Sequence, residues 1–180
     1  VIMGTAVPAY ILRTSDGGET WKVAFQDNTK GMFLDAMEFW NENSGIVIGD
    51  PIDGKFFIGR SFDGGMSWRN IPPEYFPEAD TGEVCFAASG TNLCKLNNQE
   101  AVFVTGGIKS RMFIRDKKID LPFMTGTETA GANSIAVKNT KQFIVVGGDY
   151  LAKDSTAKNC FITKDAGKKW IVPKNPPNGY

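Results

Sequence analysis

The sequence predicts an all-β chain made of repeated four-stranded antiparallel units, and three observations carry that expectation. One eight-residue pattern, Ser/Thr-x-Asp-x-Gly-x-x-Trp, occurs at Thr14 to Trp21, Ser61 to Trp68 and Thr163 to Trp170. It recurs at a steady distance: Asp16 and Asp63 are 47 residues apart, and Asp63 and Asp165 are 102 apart, close to two periods. Between the turns lie short β-branched or aromatic runs ending in glycine, at Ile46 to Gly49, Val102 to Gly106 and Ile144 to Gly147.

The elements follow in order. From Met3 through Val23 the chain supplies only the later strands of a first unit. The second reads as strands at Phe33 to Phe39, Ile46 to Gly49 and Phe56 to Ile58, with the Ser61 to Trp68 turn before a fourth strand. The third has Val84 to Ala88, Val102 to Gly106 and Met112 to Ile114, and its hairpin Arg111 to Ile119 is a degenerate copy of the turn. There Asp116 falls 53 residues after Asp63 and 49 before Asp165, without the glycine and the Trp. The fourth has Ser134 to Val137, Ile144 to Gly147, Cys160 to Ile162 and the last turn, and Asn175 to Tyr180 leads toward a further unit.

Four-stranded units recurring about every 50 residues are the mark of propeller blades, which bury their faces on neighbours. The expected fold is therefore a β-propeller segment, one domain over 1–180. Its blades are expected at 1–30 (partial), 31–80, 81–128 and 129–180. About three and a half blades do not close a ring, so the segment is expected to be an incomplete portion of a six- or seven-bladed propeller. The remaining blades would come from the full-length chain or another copy.

Each position of the repeated turn has a physical use. The Asp accepts hydrogen bonds from N–H groups of its own turn, the Gly takes a positive φ, and the Trp buries a large ring. Asp16, Gly18, Trp21, Asp63, Gly65, Trp68, Asp165, Gly167 and Trp170 are accordingly structural candidates.

Composition removes several function classes. Twenty basic and 20 acidic residues give no net charge, which argues against a nucleic-acid partner. The chain has no histidine, so Ser-His-Asp and Cys-His catalysis and His-ligated zinc are excluded from it. Cys85, Cys94 and Cys160 have no CxxC spacing and are expected to be buried apolar residues, with a Cys85 to Cys94 bridge as the exception. No metal site is expected. No apolar run approaches the roughly 20 residues that span a bilayer. No GxGxxG stands between a strand and a helix, so no nucleotide cofactor is expected.

The three turns resemble the Asp-box, or bacterial neuraminidase repeat, of sialidases, sortilin-type receptors, xyloglucan-cleaving glycosidases and photosystem II assembly-factor-like propellers. The likeness is closest to the last group, through Tyr10 to Trp21, Cys85 to Asn92 and Phe161 to Trp170. Bacterial members are often labelled oxidoreductase or glycosyl hydrolase. The resemblance implies a box on the face away from any substrate, a partner that is a protein or a glycan, and an extracytoplasmic location. Sialidase chemistry is disfavoured because Arg69-Asn-Ile-Pro72 is not the Arg-Ile-Pro signature.

Propeller geometry nominates the remaining candidates. Asp35, Asp50, Asp53 and the Pro72 to Glu83 connection are expected on one carboxylate-rich rim, where Asp35 with Asp50 or Asp53 would form a glycosidase acid–base pair. In the competing reading Gly49-Asp50-Pro51 and Ile52-Asp53-Gly54 are ordinary turns. Arg13, Arg60 and Arg115 recur beside the turns as binding candidates; Arg13 and Arg60 either form a row for a protein partner, or each arginine caps a strand and pairs with a nearby surface Asp. Phe33, Phe39, Trp40, Phe56, Phe57 and Phe103 read as core, with Trp40 the one of them expected to be partly exposed and a binding candidate. The favoured function is a non-catalytic interaction or assembly propeller. The alternative is a sialidase-like or xyloglucanase-like glycoside hydrolase.

Overall fold

A computed structural model describes residues 2–4, 7–88 and 90–177. Among them the regular structure is β, apart from one 3-10 turn at Pro73–Tyr75. Sixteen strands form four antiparallel sheets, and the chain divides into two compact units, Val1–Glu78 and Ala79–Tyr180.

The first unit holds two sheets. β1 (Ile2–Gly4), β2 (Ala9–Arg13) and β3 (Lys22–Asp27) form the first, in chain order. β4 (Leu34–Phe39), β5 (Gly45–Ile52), β6 (Lys55–Ser61) and β7 (Arg69–Asn70) form the second, also in chain order. Ala9 and Ile11 of β2 pack with Leu34, Val47, Phe57 and Trp68 in one core. This up-and-down order is what short connections produce, and Asn41 shows how one is built. Its Oδ1 accepts from the N–H groups of Asn43 and Ser44, closing the β4–β5 loop as an Asx turn.

In the second unit, β8 (Glu83–Val84), β9 (Leu93–Lys95), β10 (Ala101–Val104), β11 (Gly106–Gly107), β12 (Arg111–Ile114) and β13 (Lys117–Asp120) precede β14 (Ala130–Asn139), β15 (Gln142–Asp149) and β16 (Cys160–Thr163). One sheet has the order β13-β12-β10-β9, and the other β16-β15-β14-β11-β8. Val102, Val104 and Met112 from the former meet Ile135, Phe143, Val145 and Phe161 from the latter in the core.

The glycine that ends a β-branched run is there because another backbone comes close. A Cβ on Gly49 would lie 2.4 Å from the Phe33 carbonyl oxygen, and one on Gly147 would lie 2.0 Å from that of Gly131. Beside each contact the ladder slips by one residue. The register shifts between Leu34 and Ala36, and again between Ala132 and Ser134, leaving Asp35 and Asn133 as bulge residues.

Three expectations are corrected. The stretch Val84 to Ala88 does not form the first strand of its blade. Only Glu83–Val84 is strand, it pairs with β11 in the last sheet, and β9 takes the place beside β10. Ala87 and Ala88 are in a turn, and the Gly90 N–H lies on the Ala87 carbonyl at 3.1 Å. Gly49-Asp50-Pro51 is no turn either: β5 runs through it with a bulge against β6, and the reversal is the two-residue turn Asp53-Gly54 at φ 51° and 76°. The three cysteines take part in no disulfide, so Cys85 and Cys94 are not bridged, and Cys94, expected to be buried, is half-buried. The expected lead toward a further blade ends in Asn178 to Tyr180, outside the described residues.

Candidate functional site

The three Trp-bearing turns share one hydrogen-bond design. In each, the first hydroxyl donates to the Asp and accepts the N–H of the Gly four residues on: Thr14 from Gly18 at 2.9 Å, Ser61 from Gly65 at 2.8 Å, Thr163 from Gly167 at 2.9 Å. The Asp then accepts a backbone N–H four residues on, from Thr20, Ser67 or Lys169, each at 2.9 Å. Two consecutive residues take positive φ: Gly17 and Gly18, Gly64 and Gly65, Ala166 and Gly167. The side chains supply what a two-residue hairpin cannot.

These bonds fix the charge of the aspartates. The Thr14 hydroxyl foremost, then Thr20, holds Asp16 well below the usual carboxylate range. The Ser67 hydroxyl foremost brings Asp63 down to about 2, and the Lys169 N–H foremost lowers Asp165. All three are anions at neutral pH, each committed to its own turn. The Trp residues diverge. Trp68 is buried and Trp170 half-buried, but Trp21 is 41% exposed and caps its own turn through Nε1 to the Gly18 carbonyl at 3.0 Å.

Asp35 departs from the expected rim. It is 0% exposed, and neither carboxyl oxygen has a hydrogen-bond partner among the described residues. Burial first, and the charge of Asp50 second, push it up to about 8, so it carries its proton at neutral pH. A bulge aims the side chain inward, where a substrate cannot reach it. Asp50 is half-buried and sends its N–H to the Phe33 carbonyl at 3.0 Å. Asp53 is exposed at the tip of its hairpin. Asn92, also 0% exposed, is a second enclosed polar side chain without a hydrogen-bond partner among the described residues.

The arginines have individual duties. Arg13 Nε donates to the Gly64 carbonyl at 3.1 Å, tying the first Trp-bearing turn's strand to the second turn. Arg60 lies over the Trp40 ring, 4.5 Å from its centroid, and burial lowers its pKa. Trp40 is therefore 5% exposed, against the expectation of an accessible ring. Arg115, at φ 53° in the β12–β13 turn, pairs with Glu100. Neither Arg60 nor Arg115 pairs with a surface aspartate in these contacts.

Sequence reasoning missed a buried ion pair in the second unit. Glu83, 2% exposed, receives Arg111 Nε at 2.9 Å together with Nη2, and the Thr105 hydroxyl at 2.5 Å. The Asp80 N–H adds a fourth bond at 3.0 Å, and Phe113 lies under the guanidinium, 5.1 Å from the ring centroid. Burial alone would lower Arg111, but the Glu83 bond and charge, with Asp80 and Asp120, hold it above its ordinary value. Asp80 in turn bridges to Lys109 at 2.9 Å. Glu83 is thus bound within the fold, whereas Asp80 stays exposed and is engaged by Lys109. A carboxylate at a loop end and an Arg opening a strand were the available signals, but nothing in either marks them as partners.

Among the described residues no group of three or more His, Cys, Asp or Glu is placed to hold a metal ion, and no helix is long and apolar enough to cross a membrane. An open groove of about 440 Å³ runs over the last sheet, floored by Ala136, Ile144 and Ile162 and flanked by Lys138 and Lys164.

No protein-family model matches the chain, and no curated protein matches it. Among solved structures it is similar to YCF48 bound to D1 peptide, with a TM-score of 0.50 and 17% identity, over 77% of this chain and 38% of that one. The likeness is one of fold. It supports a propeller-like relation for the four antiparallel sheets. The chain spans well under half the length of YCF48.

Proposed function

We propose that this chain is a protein-interaction module of the assembly-factor type, built of Asp-box blades that belong to a six- or seven-bladed propeller. The observation that carries the reading is the likeness in fold to YCF48, which is bound to D1 peptide in its solved structure. The placement of the acidic side chains supports it. Asp35 is enclosed, Glu83 is locked to Arg111, and Asp16, Asp63 and Asp165 hold turns. The glycosidase alternative needs two carboxyl groups facing one substrate, and enclosure of Asp35 removes the acid it relied on. An extracytoplasmic location belongs to the same proposal and rests on the resemblance of the repeats.

Fluorescence anisotropy with a labelled D1 peptide, against a scrambled peptide of the same composition, is the direct test. Saturable binding of the native sequence alone supports the assembly-factor reading. Equal binding of both peptides, or of neither, overturns it.

A further inference from the structure

Charge is unevenly placed in the second unit. Residues 79–180 contain fourteen basic and nine acidic side chains. Three short stretches, 115–117, 138–141 and 164–169, hold seven of the basic residues and only two of the acidic ones, while the rest of the unit is balanced at seven of each. The whole excess of +5 therefore sits in three stretches that form or adjoin turns, hidden by the neutrality of the sequence as a whole.

The fold brings these turns together. The Ala166 N–H binds the Lys141 carbonyl at 2.9 Å, joining the β14–β15 turn to the last Trp-bearing turn. That turn also rests on the β12–β13 hairpin, since a Cβ on Gly167 would lie 2.9 Å from Met112 and 3.2 Å from Ile119. Ile114, Ile119, Ala166 and Trp170 pack on one core. The β15–β16 connection, with Lys153 and Lys158, lies at the opposite end of the strands.

The acids of this end do little to offset its cations. Asp165 is committed to its own turn through Thr163 and Lys169, and Glu100 is paired with Arg115. Lys117, Lys138, Lys141, Lys164, Lys168 and Lys169 are exposed, and none of them forms an ion pair among the described residues. Six ammonium groups on flexible stems thus share one end of the unit, where their mutual repulsion favours an anionic partner.

Side-chain type says which partner fits. Single-stranded nucleic acid is held by aromatic rings that stack on bases, and base edges and phosphates by arginine forks. A protein interface has an apolar centre depleted of lysine. Among the described residues none of the three stretches carries an exposed large apolar side chain, and their one arginine is held by Glu100. Lysines alone suit a surface of mobile, closely spaced anionic groups, which asks for charge and no fixed geometry.

We propose that this end of the second unit docks on an anionic lipid bilayer, held by charge at the level of the headgroups. Docking of this kind is independent of peptide binding. Each lysine near an anionic leaflet strengthens partitioning roughly fivefold.

Cosedimentation of the whole chain with phosphatidylcholine vesicles containing about 30% phosphatidylglycerol, against vesicles of phosphatidylcholine alone, measures it. Binding is expected only to the anionic vesicles, and it should vanish as the screening length falls from roughly 30 Å at 0.01 M salt to about 3 Å at 1 M. Lys141→Gln, Lys168→Gln and Lys169→Gln together should weaken partitioning about 100-fold. Lys153→Gln, Lys158→Gln and Lys174→Gln, an equal change in net charge outside the three stretches, should leave it within about twofold. All six positions are exposed, so circular dichroism and melting temperature should stay as in the parent. Absence of binding to anionic vesicles at low salt, equal binding to both kinds of vesicle, or an equal loss in the two triple variants overturns the proposal. Tighter binding of a polyglutamate chain or a single-stranded oligonucleotide than of the vesicles assigns the lysines to another polyanion and overturns it too.

Discussion

Replacing Asp35 with Asn should change the sign of the stability difference between variant and parent as pH rises. In the folded chain this carboxyl holds its proton to about 8, against 3.8 for the ordinary group. Between those values the native state keeps a proton that the unfolded state has released, so the unfolded state binds fewer protons and stability falls as pH rises. At 1.36 kcal/mol for each pH unit, the loss from this group between pH 4 and pH 7 is about 4 kcal/mol, and it is complete only above pH 8. That is a large fraction of the 5–15 kcal/mol typical of a domain. The lowered aspartates of the turns act only below pH 4, with opposite sign, and leave this window clear.

Asn is nearly isosteric and does not titrate, so its stability profile should be flat over the window. At pH 4 the variant should be less stable than the parent by about 1–2 kcal/mol, because an amide brings two N–H donors into the unpartnered enclosure where the protonated carboxyl brings one O–H. At pH 8 it should be more stable. Urea unfolding followed by tryptophan fluorescence at pH 4, 5.5, 7 and 8.5 gives both curves. A parent profile that is flat or rising from pH 4 to pH 8 would refute the enclosure of Asp35, and an Asn variant with the parent's slope would assign the titration elsewhere.

Further outcomes can be checked on the same protein. Glu83→Gln should cost about 3–5 kcal/mol by leaving Arg111 buried against a neutral partner, and Glu83→Leu with Arg111→Met should recover most of that in urea titrations. Ala166→Gly should stabilise by up to about 1 kcal/mol, since Ala166 sits at φ 60° where the other two turns have glycine. Gly167→Ala should destabilise by about 1–2 kcal/mol, because φ is +86° and the added Cβ would meet Met112 at 2.9 Å. Arg60→Ala should uncover Trp40, shift its emission to the red and cost about 1 kcal/mol. Titration with a thiol reagent under native conditions should label Cys94 first, with buried Cys85 and Cys160 protected until unfolding.

Much of the fold was readable because two signals are local. The apolar runs Val102 to Val104 and Phe143 to Val145 need only be short strands packed in a core, and the turn pattern carries its hydrogen-bond partners within eight residues. Partner choice between strands is not local. Glu83–Val84 has the composition of an ordinary strand start, yet it joins the last sheet by pairing with Gly106–Gly107, more than twenty residues on, while the Glu83 side chain binds Arg111 of the neighbouring sheet. Burial of Trp40 likewise depends on Arg60 arriving from β6, and an aromatic beside Asn41-Glu-Asn-Ser-Gly45 gives no hint of it. Asp35 was legible as a residue near the start of a strand but read as part of an open rim, because its enclosure follows from a one-residue slip that sequence period cannot register.

The short strand β11 bears on how this architecture can evolve. Repeat proteins grow by duplicating modules that touch through side chains, so a copy can be added or lost without breaking a ladder. At Gly106–Gly107 the seam is instead backbone to backbone: Gly106 lies opposite Gly131 on one side and Val84 on the other. A Cβ on Gly131 would come within 2.5 Å of the Gly106 Cα. The last two repeats are therefore stitched together, and a recombination point between β11 and β14 would sever main-chain pairing. Hydrogen exchange should report the pair opening in one step, and the lineage should have inherited it as one block.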